Sequence, residues 1–285
     1  MKKFAWTKIR KQQALCLAAA VLMFAAAEAV QGQSGVLQEG NRVPRNGYGQ
    51  GGETYSLVVD GLGEEELSLT FPVGEREYTE EEAARVLPVI AAVKRETGLP
   101  VSVDTYRHET ARLALEAGAD MVNDIWGLRY DGGEMARLIA QSGAACCLMH
   151  NRKSAEYSDF MPELLEGLRG TLDLAAAAGI ARERIILDPG IGFAKSCEQN
   201  LTAMHRLDEL AALGCPILLA ASRKSVIGLS LGLPVEERLE GTLATTAIGV
   251  LRGAAFVRVH DVKENLRAAR MALAIRREAR PGEGA

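Results

Sequence analysis

The 285-residue chain has few aromatics, 5% of its residues, and no excess of positive charge: 33 Lys and Arg stand against 37 Asp and Glu, a formal net charge of −4. Without a basic field the chain lacks the electrostatic footprint of a general nucleic-acid binder. Cysteine is scarce too. Its five copies, at 16, 146, 147, 197 and 215, are odd in number and form no C-x-x-C pair, which argues against a disulfide scaffold or a structural zinc site. They read as small apolar residues buried in a reduced compartment. The apolar run from Ala14 to Ala27 falls short of the roughly 20 residues a membrane span needs. What the chain does have is 48% hydrophobic residues with 25% charged, enough for a large core and too apolar for disorder.

Two segments differ in kind. Lys2, Lys3, Lys8, Arg10 and Lys11 precede the Ala14–Ala27 run, and Ala27-Glu28-Ala29 supplies a small-residue triplet. In form this is signal-like, although Ala and Leu also make the best cytosolic helices. Residues 31–52 are rich in Gly, Asn and Gln and read as a linker. The reading is therefore an atypical N-terminal segment over 1–52 and one β/α domain over 53–285.

Within that domain 55–60 suits a strand, and 61–78 is acidic and poorly patterned. Residues 80–96 carry apolar positions at helical spacing despite Pro88. Six short apolar runs follow, at 99–104, 119–124, 144–150, 184–188, 215–221 and 255–260. Helical patterns at 107–116, 133–142, 160–178, 197–213, 235–252 and 262–277 alternate with them. Near-continuous apolar strands alternating with helices predict a parallel sheet covered on both faces. The repeat length fits a TIM-type (β/α)8 barrel whose first one or two units are altered. A doubly wound sheet is the runner-up. It is disfavoured because polar residues end nearly every strand: Asp104, Asn123 with Asp124, His150, Asp188, Ser222-Arg223-Lys224, and Arg258 with His260. In a closed barrel these ends are expected to converge on one mouth.

The residue types limit the chemistry. Asp104, Asn123 and Asp188 suit a flat, donor-rich heterocycle held by paired hydrogen bonds, and Lys224, Arg258 and His260 suit an anionic leaving group. Asp188-Pro189-Gly190-Ile191-Gly192-Phe193 is a stiff loop that a ligand can approach closely, and is neither a dinucleotide fingerprint nor a Walker loop. There is no H-E-x-x-H, and no Ser-His-Asp set with an elbow glycine is expected, so hydrolase readings are weak.

These motifs carry a resemblance. Over about residues 80–277, Ser102-Val103-Asp104-Thr105, Val122-Asn123-Asp124, Leu148-Met149-His150, the Asp188–Phe193 loop, Ser222-Arg223-Lys224-Ser225 and Arg258-Val259-His260-Asp261 are similar to the strand-end motifs of the dihydropteroate synthases. Related pterin-binding barrels such as methyltetrahydrofolate methyltransferases share the fold, but the last two segments together favour the synthase. The resemblance implies condensation of 6-hydroxymethyl-7,8-dihydropterin diphosphate with p-aminobenzoate, giving dihydropteroate and pyrophosphate in folate biosynthesis. On it, Asp104, Asn123 and Asp188 bind the pterin's pyrimidine edge, with Lys224 at its carbonyl and N5. Arg258 stacks along the pterin and, with His260, lies near the diphosphate. Met149 and Phe193 give apolar contacts, and Ser222 lies on the p-aminobenzoate side. The resemblance further implies assistance by Mg2+, sulfonamides as p-aminobenzoate mimics, a homodimer, and a cytoplasmic enzyme with no nucleic-acid or stable membrane partner.

The N-terminal part departs from the pattern. The family's first-strand loop, Asn-Val-Thr-Pro-Asp-Ser-Phe-Ser-Asp-Gly-Gly with its magnesium-binding Asn, has no counterpart. Of the second-strand motif only Asp60, in Val59-Asp60-Gly61-Leu62-Gly63-Glu64, is a weak candidate, and no metal ligand is assigned. The alternative this raises is a catalytically impaired pterin-binding paralogue.

Overall fold

A computed structural model describes residues 53–59, 68–73 and 80–278 of the chain. The signal-like run, the linker and Asp60 lie outside the described residues.

Strands β1 (Glu53–Val59) and β2 (Ser68–Val73) lead to helix α1 (Glu80–Thr97). Regular β/α alternation follows: β3 (Val101–Asp104), α2 (His108–Glu116), β4 (Met121–Asp124), α3 (Glu134–Ser142), β5 (Ala145–Met149), α4 (Phe160–Ala178), β6 (Ile185–Asp188) and α5 (Cys197–His205). The chain ends with β7 (Leu218–Leu219), α6 (Ser225–Leu231), α7 (Leu239–Leu251), β8 (Phe256–Val257) and α8 (Val262–Arg277). Strands β3 to β6 pair in parallel in sequence order, a single parallel bridge, Leu187 to Ile217, carries the sheet toward β7, and β7 pairs in parallel with β8. This is the parallel run of a β/α barrel, cut short at its N-terminal end.

The altered end takes a specific form. β1 runs antiparallel to β3 and to β2, so a hairpin occupies the edge where β/α units are expected. The segment 61–78, expected to be unpatterned, contains β2. Helix 197–213 is split: α5 ends at His205, and Leu207–Leu213 continue as 3-10 turns. Residues 235–252 are likewise a 3-10 turn, Val235–Glu237, followed by α7. Helix α6 was not expected, because seven residues show too little of a helical period.

Alternation along the parallel strands sorts the core into two layers. Val101, Val103, Val122, Cys146, Leu148, Ile185, Leu187, Ile217 and Leu219 pack outward with the helices. A separate cluster, Cys147, Ile186, Leu218 and Ala220 with Met121 and Phe256 against it, fills the barrel interior. Period two therefore turns Asp104, Asn123, Met149 and Asp188 to the inner face at the strand ends, and ladder partners Asp104 with Asn123, and Met149 with Asp188, stand side by side.

Candidate functional site

Five inward residues meet at the C-terminal ends of the strands. Asp104, Asn123, Asp188 and Lys224 are buried, and Arg258 Nη1 donates to Asp104 Oδ2 at 2.7 Å. Burial raises the Asp104 carboxyl above the ordinary carboxylate range, against the pull of Arg258, Asn123 and Lys224. Burial likewise lowers Lys224, to about 8, with Asp188 and Asp104 opposing. Asp104 and Lys224 thus each feel the charges of the other members of the cluster.

The loop after β6 shapes this cluster. Asp188 Oδ1 accepts from the Gly190 amide at 2.7 Å, which fixes the carboxylate plane. Gly190 has φ 73°, and a Cβ there would fall 2.1 Å from the His150 carbonyl oxygen, so only glycine fits. Lys224 Nζ donates to the Ile191 carbonyl and lies 4.9 Å from the Phe193 ring centroid. Two buried atoms of the cluster lack a hydrogen bond of good geometry: Asn123 Nδ2, a donor near enough to the Asp104 carboxylate to pull on it, and Asp188 Oδ2, an acceptor. An unpaired buried polar atom costs about 1–3 kcal/mol, which a ligand with the complementary edge recovers.

At the rim, the Ser222 hydroxyl oxygen accepts from the His260 amide at 3.0 Å and lies 2.8 Å from His260 Nδ1. Arg223 forms a two-bond ion pair with Asp261, both contacts 2.7 Å, tying the ends of β7 and β8 together. Met149 is fully buried on the inner face and Phe193 is half-buried.

Two strand-end residues expected at the mouth point elsewhere. Asp124, the neighbour of inward Asn123, turns to the outer layer, where its carboxylate accepts from the Trp126 and Leu128 amides at 2.8 and 2.6 Å. Burial brings its pKa up to about 6. His150 is one residue out of phase with Met149. Its ring packs against α4, where a Cβ on Gly167 would come within 2.7 Å of Cδ2. A cleft of about 690 Å3 opens beside it, lined by Trp126, Arg129, Arg152 and Glu163 among others, and holds none of the five clustered residues. A Gly-x-Ser-x-Gly string does occur at Gly228–Gly232, but it lies in α6 and its C-cap rather than on a strand-to-helix elbow, so Ser230 is no nucleophile.

Sequence reasoning missed Lys195 and Asn200. Asn200 Oδ1 accepts from the Gly192 amide at 2.7 Å, and its Nδ2 donates to the Ser196 carbonyl at 2.8 Å. Neither residue ends a strand, and nothing in their spacing marks them.

A family profile described as pterin binding enzyme matches residues 68–260. The chain belongs to that family, a class of β/α-barrel enzymes. Its matched part is a dihydropteroate synthase domain, placing the chain among transferases of folate biosynthesis. The dihydropteroate synthase of Clostridium beijerinckii is 54% identical over 193 residues, 67% of this chain and 71% of that protein. That of Bacillus subtilis is 46% identical over 202 residues, 71% and 70% of the two chains. Among solved structures, the Clostridium difficile enzyme in the presence of pteroic acid superposes with a TM-score of 0.68 at 47% identity, covering 70% of this chain and 77% of that one. The Yersinia pestis enzyme in complex with a sulfonamide drug gives 0.68 at 34% identity, over 71% and 76%.

Proposed function

We propose that the five inward residues form the pterin pocket of a dihydropteroate synthase. The observation that carries this is the pair of buried atoms short of a good hydrogen bond, Asn123 Nδ2 and Asp188 Oδ2. A 2-amino-4-oxo pyrimidine ring offers N–H donors on one side and acceptors on the next, matching a carboxylate beside a carboxamide. Lys224, with three N–H donors, takes the ring carbonyl and N5, and Met149 and Phe193 cover the ring apolarly. Arg258 lies along the pterin.

The reaction breaks the bond between the pterin methylene carbon and the diphosphate oxygen. The p-aminobenzoate nitrogen then bonds to that carbon, loses a proton to solvent, and pyrophosphate leaves with the electron pair. Arg258 and His260 stabilise the charge growing on the departing oxygen, a role that needs fixed donors rather than a covalent nucleophile. Ser222 lies toward p-aminobenzoate, whose place sulfonamides would take. Magnesium belongs to the proposal only as an ion carried by the diphosphate, since it keeps mostly water and phosphate ligands. Among the described residues no group of three or more His, Cys, Asp or Glu is placed to hold a metal ion.

On the outer helices Leu201, Leu229, Leu231, Ile248 and Leu251 are exposed, and we place a homodimer contact on this face. Among the described residues no helix is long and apolar enough to cross a membrane; the proposal of a cytoplasmic enzyme rests on the folate-precursor substrates. Pyrophosphate release from dihydropterin diphosphate, measured with and without p-aminobenzoate and magnesium, tests the whole. Release requiring both is expected. Pteroic acid binding without release would identify the catalytically impaired paralogue, and absence of both would sink the reading.

A further inference from the structure

Lys195 stands two residues beyond Phe193, in the loop joining β6 to α5. Its ammonium has three N–H donors and three acceptors around it: the Phe193 carbonyl at 3.0 Å, His150 Nδ1 at 3.2 Å and the His150 carbonyl at 3.4 Å. All three donors are used. His150 is a fixed post for this contact. Its amide donates to the Asp188 carbonyl at 2.9 Å, its ring fills the space left by Gly167, and its carbonyl fills the space left by Gly190. The outer side of the same loop is pinned by Asn200 on Gly192 and by the Tyr157 hydroxyl, which donates to the Ala194 carbonyl at 3.1 Å. Phe193, whose ring lies under the Lys224 ammonium, sits between these anchors.

We infer that Lys195 is a positioning residue for the pterin pocket: by tying the end of β5 to the loop after β6, it holds Phe193 and, through it, Lys224 in place for the ring. This rests on the pocket proposed above. The contact is also sensitive to charge. Burial lowers Lys195 to about 7, with Lys224 and Arg152 adding to the effect and Asp188 opposing it. His150 is held neutral by burial and by Lys195, Arg129 and Arg152, at about 3, so its ring stays an acceptor throughout. Tyr157 lies on the same side, 6.3 Å from the His150 ring. Below pH ~7 the ammonium makes three charge-assisted bonds, and above it a neutral amine has only two N–H donors for the three acceptors and turns its lone pair toward one of them.

The test is pteroic acid affinity by calorimetry on the full chain, for the unmodified protein and Lys195→Met, from pH 6 to 9. The unmodified protein binding pteroic acid checks the pocket; failure there refutes the pocket and not this step. At pH 6 the substitution is expected to weaken binding about ten-fold, the worth of one charge-assisted hydrogen bond. The gap should narrow as pH rises above 8, where the native lysine is itself discharged and keeps only weaker, neutral hydrogen bonds. At pH 6 Lys224 is an ammonium in both proteins, so the ratio there reports the lost Lys195 contact alone; at higher pH the substitution also relieves the repulsion between Lys195 and Lys224, and the Lys224 ionisation of each protein is followed separately. A folded variant with unchanged affinity at pH 6, or with a gap that stays constant to pH 9, overturns the proposal. If the variant does not fold, Lys195→Gln, which keeps two donors, takes its place. Failure of both to fold makes the residue purely structural and likewise ends the proposal.

Discussion

Arg258 reaches across the barrel mouth to Asp104, closing 154 residues of sequence with one 2.7 Å contact between the ends of the first and last strands of the parallel run. The two side chains are only 15% and 11% exposed, so each charge is largely desolvated and depends on the other. Removing one partner of such a pair costs on the order of 3 kcal/mol, because the survivor is stranded. Arg258→Met is therefore expected to lower thermal stability as well as pteroic acid affinity. Adding Asp104→Asn should return much of the stability but none of the binding. A melting-temperature cycle over the four proteins checks this, and additive losses would show that the pair is uncoupled.

Asp188 is expected to matter far more for binding than for stability. Oδ1 is used by the Gly190 amide, whereas Oδ2 is buried and unpartnered. Asp188→Asn keeps the first bond but removes the anion that offsets the buried Lys224 and Lys195 ammoniums, so the fold should be kept with a modestly lowered melting temperature. Pteroic acid binding should fall about a hundred-fold, since the ring's two donors lose their anionic acceptor. Calorimetric titration beside a thermal melt decides it. Retained affinity in the folded variant would remove Asp188 from the pocket.

The parallel run from β3 to β8 was legible because its strands are short apolar runs ended by polar residues, and α4 and α8 were read to the residue because each is long and bounded, α4 by Gly179 and α8 by Asp261. The cluster at the strand ends was legible at Asp104 and Asp188, where strand end and chemical type agree. It was not legible at Asn123 against Asp124, or at Met149 against His150. In each pair the two residues are both plausible pocket residues, and only the register of the pleat decides which faces inward. The antiparallel direction of β1 was hidden for a similar reason, since direction is set by the strand's partners and not by its own composition.

The pH dependence of Lys224 should run in opposite directions for stability and for binding. Its folded-state pKa is about 8, below the ordinary lysine value near 10.5, because burial disfavours the ammonium. Between these values the unfolded chain holds a proton that the folded chain has released, so this group makes the protein more stable as pH rises through the window, by up to about 3 kcal/mol. Below pH ~8 both states are protonated and the full penalty applies. In the proposed pocket pterin binding uses the ammonium, and it should weaken over the same range. Lys224→Met should flatten the stability profile and abolish binding. A denaturation series from pH 7 to 10.5 checks the sign, and a profile unchanged by the substitution would assign the slope to other groups.

Ser222 and His260 make a prediction about a proton. The Ser222 oxygen already accepts from the His260 amide, so its own hydrogen is free to donate to Nδ1 at 2.8 Å. Nδ1 is then the acceptor of the ring, and a neutral His260 carries its proton on Nε2, directed away from Ser222, where the proposed mechanism needs a donor for the departing diphosphate. Ser222→Ala removes this bias and lets the ring sample both tautomers. Turnover is expected to drop several-fold with little change in KM for the pterin diphosphate, because the lost donor acts on charge that grows only in the transition state. Nitrogen-15 shifts of His260 should show the Nε2–H form in the unmodified protein and a mixture in the variant. An unmodified protein already showing the Nδ1–H form would reverse the donor in this pair and leave Ser222 without a part in orienting the proton.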